Sequence, residues 1–432
     1  MRTLRALLGR LFLVSLGVVL PLLLLEGMVR LAGIAPPAEL HPPLWEPHPY
    51  LGWFHVPNSG GVVSSEYGEF QVSVHINARG LRDREIGYAK PPGVTRVLVL
   101  GDSFAEALQV PLEVTFAKQL EAELNKAGHP VEVINAGVGG WGTDQEAIFY
   151  AIEGFRYQPD LVLLLFFPHN DVLNNHAALE VARLHGAVQK PFFRLEGENL
   201  VLPTFPFTQS QAAKTAPAPL LSVGEWLNQH SALYRFAAPR LRENALMVRL
   251  FGSSGLLGVM AVFAAQDPPV PLAYGVYRLA DDPQWQEAWA LTAAILRRLA
   301  AEVHAHDGRL AVVIIGAPEQ IYPERWAATL RRYPQMTAQE YDLDFPNRQI
   351  AQILEEAQIP YRDLLPVFRA MASQSDNTPL HFRYDGHWTP AGHRLAAETL
   401  APFVADLLGL SISNDTPGSS RERSKGNGST PE

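Results

Sequence analysis

Arg96-Val97-Leu98-Val99-Leu100-Gly101-Asp102-Ser103-Phe104 is the stretch whose reading settles the class of fold. Val97 to Leu100 is an unbroken apolar run without alternation, as in a strand buried on both faces of a parallel sheet. Gly101 ends the run and a helical pattern follows. A serine thus stands at the carboxyl end of a buried strand, where open α/β sheets bind their ligands.

The same rhythm continues outward. Thr115 to Ala127 reads as a helix, Val131 to Asn135 as a strand, Thr143 to Arg156 as a helix and Asp160 to Phe167 as a third buried strand. About 110 residues of mixed character, 172–281, interrupt the succession, which resumes with a helix from Pro283 to His306 and a strand from Arg309 to Ile315. A helix over Asn347 to Glu356, a short strand near Tyr361 and a helix over Pro390 to Leu408 complete it. Strands alternating with helices predict a parallel sheet covered on both faces.

The flanking segments differ. Arg2, Arg5 and Arg10 precede an uncharged apolar run from Leu11 to Leu25, read as an uncleaved membrane anchor within residues 1–35. Fifteen helical residues span only about 22 Å at about 1.5 Å each, so flanking turns must also enter the hydrocarbon. The preceding positive charges predict a cytoplasmic N-terminus and a translocated remainder. Residues 36–92, rich in Pro, Gly and aromatics, read as a β-rich collar, with two strands over Val62 to Ile76 turning near Tyr67-Gly68. The body is assigned to 93–410 and a polar, disordered tail to 411–432.

Composition excludes several functions. A net charge of −9 offers no basic footprint for nucleic acid, and the absence of cysteine rules out disulfides, thiolate metal sites and a cysteine nucleophile.

Four blocks carry chemistry. Gly101-Asp102-Ser103-Phe104 offers a nucleophile. Asn135-Ala136-Gly137-Val138-Gly139-Gly140 lets backbone approach a ligand closely and present an N–H. His169-Asn170-Asp171, at the end of the third strand, offers a side-chain amide. Asp385-Gly386-His387-Trp388, just before the last helix, sets a carboxylate two residues from an imidazole. In this order the blocks resemble those of the SGNH/GDSL hydrolase superfamily over roughly Thr95 to Leu408, the insertion apart.

That resemblance implies a flavodoxin-like three-layer α/β/α fold with a parallel sheet, here carrying an N-terminal transmembrane helix and a large helical insertion. It implies Ser103 as nucleophile, His387 as general base and Asp385 as its orienting acid. The oxyanion hole would comprise the N–H groups of Ser103 and Gly140 with the amide of Asn170. A serine needs such a base, and the tetrahedral intermediate such donors. No metal and no organic cofactor is implied. Two features depart from the family: the acid lies two rather than three residues before His387, a form similar to that of SGNH-like proteins of polysaccharide O-acetylation, and Pro168 stands where glycine is usual.

Other residues read as structural. Asp102 is expected to stabilise the turn, Thr143-Asp144-Gln145-Glu146, with capping-box spacing, to start a helix, and His169 and His393 to be structural. Arg79-Gly80-Leu81-Arg82 reads as a turn with solvated charges, Trp285 and Trp289 as one packing face, and Leu250 to Ala265 as a helix of a lid. The expected activity is serine-dependent ester hydrolysis, as a carbohydrate O-acylesterase or deacetylase on the extracytoplasmic face of a membrane. The alternatives are a polysaccharide O-acyltransferase with the same triad and an inactive, membrane-anchored glycan-binding or assembly protein. The expected partners are an acylated small molecule or polysaccharide and the membrane.

Overall fold

The computed structural model describes residues 2–38, 42–126, 128, 130–184, 189–197, 199–207, 220–258, 261–262, 270–374 and 378–410, and of residues 2–15 and 245 the backbone only. The tail expected at 411–432 lies outside them. Two antiparallel hairpins form first, β1 (Trp45–His48) with β2 (Gly52–His55), and β3 (Gly60–Ser64) with β4 (Gln71–His75). The second is the pair expected over Val62 to Ile76; the first, four residues per strand and containing Pro47, leaves no readable alternation.

The body is built on β5 (Thr95–Leu100), β6 (Val131–Asn135), β7 (Leu161–Phe166), β10 (Arg309–Ile314) and β11 (Tyr361–Asp363). These five are parallel, in the spatial order β11-β10-β7-β5-β6. Renumbered within the sheet this is 2-1-3-4-5, the flavodoxin-like order, whose switch point lies between the first and third strands. That point is the gap between the carboxyl ends of β5 and β7, the ends that carry Ser103 and Asn170.

Successive side chains of the strands go to opposite faces. Leu98, Leu100, Ile134, Val162, Leu164 and Val312 enter the larger core, and Val97, Val99, Val133, Leu163, Leu165 and Val313 the other. The first face is covered by α4 (Thr143–Ile152), α5 (Pro168–Asn175), α10 (Pro283–Ala305) and α13 (Phe345–Glu356), the second by α3 (Phe116–Asn125), α14 (Leu365–Ala372) and α15 (Pro390–Leu408). Each such buried side chain contributes roughly 1.5–3 kcal/mol, which is why the strands tolerate no polar residue between Val97 and Leu100. Trp285 and Trp289 join this core. Short helices α2 (Ser103–Glu106), α6 (Ala177–Arg183), α11 (Pro318–Ile321) and α12 (Pro323–Arg332) connect the layers.

The insertion holds the small hairpin of β8 (Arg194–Glu196) and β9 (Asn199–Val201) and the helices α7 (Leu221–His230), α8 (Ala232–Arg242) and α9 (Ala245–Phe251). The single helix expected over Leu250 to Ala265 does not form. Its helix stops at Phe251, a 3-10 turn follows at Gly252–Ser254, and Gly255 and Gly258 take left-handed backbone at φ 81° and 88°. Glycines without Cβ make that break cheap; residues 259, 260 and 263–265 lie outside the described ones. At the N-terminus, α1 runs from Arg2 to Ala32. Among the described residues no helix is long and apolar enough to cross a membrane.

Candidate active site

Ser103 begins α2, directly after β5. Asp102 is the N-cap: one of its oxygens accepts the N–H of Phe104 at 2.9 Å, relieving a donor that a helix start leaves unpaired. Its other oxygen accepts the side-chain amide of Asn170 at 2.8 Å. The acid expected to stabilise the turn therefore does so and also ties the first block to the third. Pro168 is the first residue of α5, a position that needs no N–H, and it sets Asn170 two residues into the helix. Proline at this position starts the helix rather than displacing Asn170.

The last block closes over the serine. Phe382 donates its N–H to the carbonyl of His387 at 2.9 Å and Thr389 to that of Leu380 at 2.9 Å, so residues 380–389 form a tight hairpin-like loop. Trp388 is its plug, buried between Phe104, Phe368 and His393. Gly386 has φ 87°, and this left-handed residue folds Asp385 back over the chain. Oδ1 of Asp385 then meets both the backbone N–H of His387 at 3.1 Å and its Nδ1 at 2.7 Å. The two-residue spacing works because the residue between acid and histidine is glycine. Nε2 of His387 lies 2.8 Å from Oγ of Ser103. Asp385, His387 and Ser103 thus make one continuous hydrogen-bonded chain.

Burial works to lower the pKa of His387, but the hydrogen bond and charge of Asp385, aided by Asp102 and Glu106, outweigh it and raise it above 6.5. Burial would raise Asp385, yet its bonds to His387 hold it below the usual carboxylate range.

The second block packs directly on α2. A Cβ on Gly137 would lie 2.5 Å from both Ala105 Cβ and the backbone nitrogen of Glu106, so only glycine fits there. Gly140 has φ 77° and sits beside Trp53. Ser103, Gly140 and Asn170 thus follow the carboxyl ends of β5, β6 and β7, and the loop carrying Asp385 and His387 closes over Ser103.

Several residues at this site escaped sequence reasoning. Glu106 is buried three residues after Ser103. One of its oxygens meets Nε2 of His55 at 2.6 Å and the indole N–H of Trp45 at 3.0 Å, while the other faces Gly139. Trp53 donates to the carbonyl of Gly139 at 3.0 Å, and Trp141 to that of Trp53 at 3.1 Å. The β1–β2 hairpin therefore clamps the second block. Glu69, from the turn between β3 and β4, accepts the N–H groups of Tyr384 and Asp385 at 3.1 and 2.9 Å, and Tyr67 stacks on Tyr384 at 4.1 Å. No spacing links these residues to the catalytic blocks; a buried Glu–His pair becomes visible only when the chain is folded.

One expectation at this site is corrected. Arg82 is not solvated: it is 1% exposed and donates to the carbonyls of Glu106, Ala107 and Val110, with burial lowering its pKa to about 10. Three loop carbonyls need a donor there, and guanidinium satisfies several at once. Helix α4 starts at Thr143 as expected, but Thr143 is not its cap. Gly142 is the N-cap, its N–H meeting Gln145 Oε1 at 3.3 Å, and Asp144 and Glu146 are buried, Asp144 on Lys190 at 2.6 Å. Burial, then the nearby carboxylates Asp171, Asp102 and Asp144, pushes Glu146 well above the carboxylate range. His169 and His393 are packed, as expected of structural residues, His169 with Nδ1 3.1 Å from the hydroxyl of Tyr277 and His393 accepting the N–H of Phe116 at 3.1 Å.

Because Glu106 supports both His387 electrostatically and Gly139 sterically, Glu106→Gln is expected to lower kcat by about 10-fold, less than the roughly 10²- to 10⁴-fold contributed by a general base itself, with KM little changed. It also removes a negative charge that raises His387, so the pH at which activity rises to half its maximum moves down. A pH profile of kcat separates this from simple loosening of the loop.

Among the described residues no group of three or more His, Cys, Asp or Glu has the arrangement to hold a metal ion. A serine in hydrogen-bond reach of an imidazole, itself held by a carboxylate, can form and break an acyl bond.

One family model matches part of the chain. Residues 277–423 match the family of the SGNH hydrolase-like domain, acetyltransferase AlgX. No curated protein sequence matches. Among solved structures, similar ones include an acetyl xylan esterase, AlAXEase, at 13% identity and TM-score 0.36, covering 72% of this chain and 99% of that one. TesA is 12% identical at TM-score 0.34, covering 72% and 99%. A variant of Axe2, an acetyl xylan esterase from Geobacillus stearothermophilus, is 13% identical at TM-score 0.33, covering 74% and 96%. Sequence blocks, strand order and the family match over residues 277–423 together support an SGNH hydrolase-like domain that acts on acyl esters.

Proposed function

We propose that the protein is a carbohydrate O-acylesterase working through an acyl-enzyme on Ser103. The observation that carries this reading is the unbroken chain from Asp385 through His387 to Ser103, at 2.7 and 2.8 Å. His387 takes the hydroxyl proton as Oγ attacks the acyl carbonyl, and Asp385 steadies the imidazolium. The backbone N–H groups of Ser103 and Gly140 and the amide of Asn170 receive the oxyanion. His387 then returns the proton to the departing sugar oxygen, and water, activated by the same imidazole, releases the acid.

A groove of about 860 Å³ borders the catalytic loop at Arg383 and Tyr384 and is lined by Tyr274, Tyr322, Arg325 and Tyr333. Tyrosine faces and guanidinium donors suit a hydroxyl-rich chain. We also place the catalytic domain outside a membrane. Support comes from Arg2, Arg5 and Arg10 ahead of the apolar run and from residues 16–25 of α1, all exposed.

A second reading, transfer of the acyl group to a sugar hydroxyl, is favoured by the family match, whose description is that of an acetyltransferase. The deciding experiment incubates the full chain with an acetyl ester donor and oligosaccharides and follows both products by mass spectrometry. Free acetate as the dominant product is expected. Acetylated oligosaccharide as the main product selects transfer, and neither product, with no labelling of Ser103 by a serine-directed phosphonate, leaves an inactive glycan-binding protein.

A further inference from the structure

The last turns of α1 are joined to the insertion by a charged latch. The carboxylate of Glu26 accepts from the hydroxyl of Ser231 at 2.7 Å and from the N–H groups of Ala232 and Leu233 at 2.9 and 2.8 Å. It thereby caps the first turn of α8 from another part of the chain. Arg30 pairs with Glu26 at 2.5 Å and donates to the carbonyl of His230 at 2.6 Å.

The surfaces on either side of this latch are apolar. Residues 16–25 of α1 are exposed without interruption. At 100° per residue ten consecutive positions face every direction, so the helix is apolar all round, a pattern that a protein groove covers on one side only and lipid covers completely. In the insertion Trp226 is 58% exposed, stacked on His230 one turn from Arg30, and Leu246, Leu250 and Phe251 of α9 are exposed as well. Exposed Arg249 lies on α9 between Leu246 and Leu250. Apolar side chains, an exposed indole and an arginine on short amphipathic helices suit the headgroup region of an anionic bilayer.

We propose that α7 and α9 lie in the lipid headgroup layer, with Trp226 as their aromatic anchor, held at the end of α1 by Glu26. This rests on the reading of α1 as a membrane anchor and extends it to a second, independent contact. It has a consequence for the site. From its cap at Glu26, α8 runs about 16 Å at 1.5 Å per residue. Its far end reaches the β3–β4 turn, where Arg242 pairs with Glu66 at 2.6 Å and the Pro239 carbonyl accepts from Tyr67, whose ring stacks on Tyr384. The helix is a strut between the membrane end of α1 and the loop carrying Asp385, so the Ser103 site faces substrate at a set height above the lipid.

The chain has no cysteine, which permits a direct test with single-cysteine variants of the full protein. Leu20→Cys, Trp226→Cys, Phe251→Cys and Lys126→Cys are each labelled with an environment-sensitive fluorophore and reconstituted in vesicles of phosphatidylcholine and phosphatidylglycerol. Nitroxides are carried either near the headgroup or deep in the acyl chain. The expected result is quenching at 226 and 251 at least twofold stronger by the shallow nitroxide, quenching at 20 by the deep one, and none at 126, at the opposite edge of the sheet. Adding Glu26→Ala should halve quenching at 226 and leave position 20 unchanged. Quenching at 20 with none at 226 and 251 overturns the proposal and leaves the anchor standing; no quenching at 20 overturns the anchor reading itself. Protection of 226 from both nitroxides with disulfide formation between copies would show a second copy on this face and equally overturn it, as would quenching at 226 that ignores Glu26→Ala.

Discussion

Ser103→Ala is expected to lower kcat for p-nitrophenyl acetate by roughly 10⁴- to 10⁶-fold, and His387→Ala by a similar factor, with the double variant no worse than either single one. Residues that act as one device fail together, and here the device is the hydrogen-bonded chain of Asp385, His387 and Ser103. Both side chains are partly exposed, so truncation should leave the thermal midpoint within a few degrees of the wild type; a folded, fully active Ser103→Ala protein would end the acyl-enzyme reading. The pH dependence follows from the same contacts. The base must be neutral to accept the serine proton, and the folded protein raises its pKa above 6.5. Activity should therefore climb with pH through a midpoint above 6.5. Asp385→Asn removes the strongest cause of the rise and should move that midpoint down while cutting kcat, whereas a midpoint that ignores the substitution would mean that some other group limits the rate.

Asn170→Ala should cost about 10²- to 10³-fold in kcat with KM within a few-fold of wild type, the signature of a donor used in the transition state alone. Its Nδ2 carries two hydrogens. One goes to Asp102 at 2.8 Å, which leaves the second available to an oxyanion forming beside Ser103. Asn170→Asp offers the decisive control: it keeps the shape, removes the donor and sets a second carboxyl beside buried Asp102. It should be at least as damaging as alanine. If alanine leaves kcat unchanged, the hole is made by backbone N–H groups and the amide serves only to steady the turn at Asp102.

Much of this was legible in the chain itself. The strands from Val97 to Leu100 and from Leu161 to Phe166 announce themselves because a parallel strand covered on both faces admits nothing polar, and the order of elements then leaves few topologies. Ser103, Asp385 and His387 were legible because each sits in a short block whose local geometry is written into neighbouring residues: Asp102 caps, Gly386 folds back, Trp388 plugs the core.

What the chain alone left hidden depends on burial, which no local pattern records. Arg82 looked solvated and is buried, because three carbonyls from a distant turn gather around it. Glu106 and His55 lie 51 positions apart and become partners only when the β1–β2 hairpin docks on the second block. Glu69 and Tyr67 meet the catalytic loop more than 300 positions away. Short-range physics, the covering of apolar strands and the satisfaction of helix starts, is settled by neighbours in the sequence. The support of the site is long-range: a buried charge or carbonyl must find its partner wherever packing brings one, and that was decided by the tertiary structure.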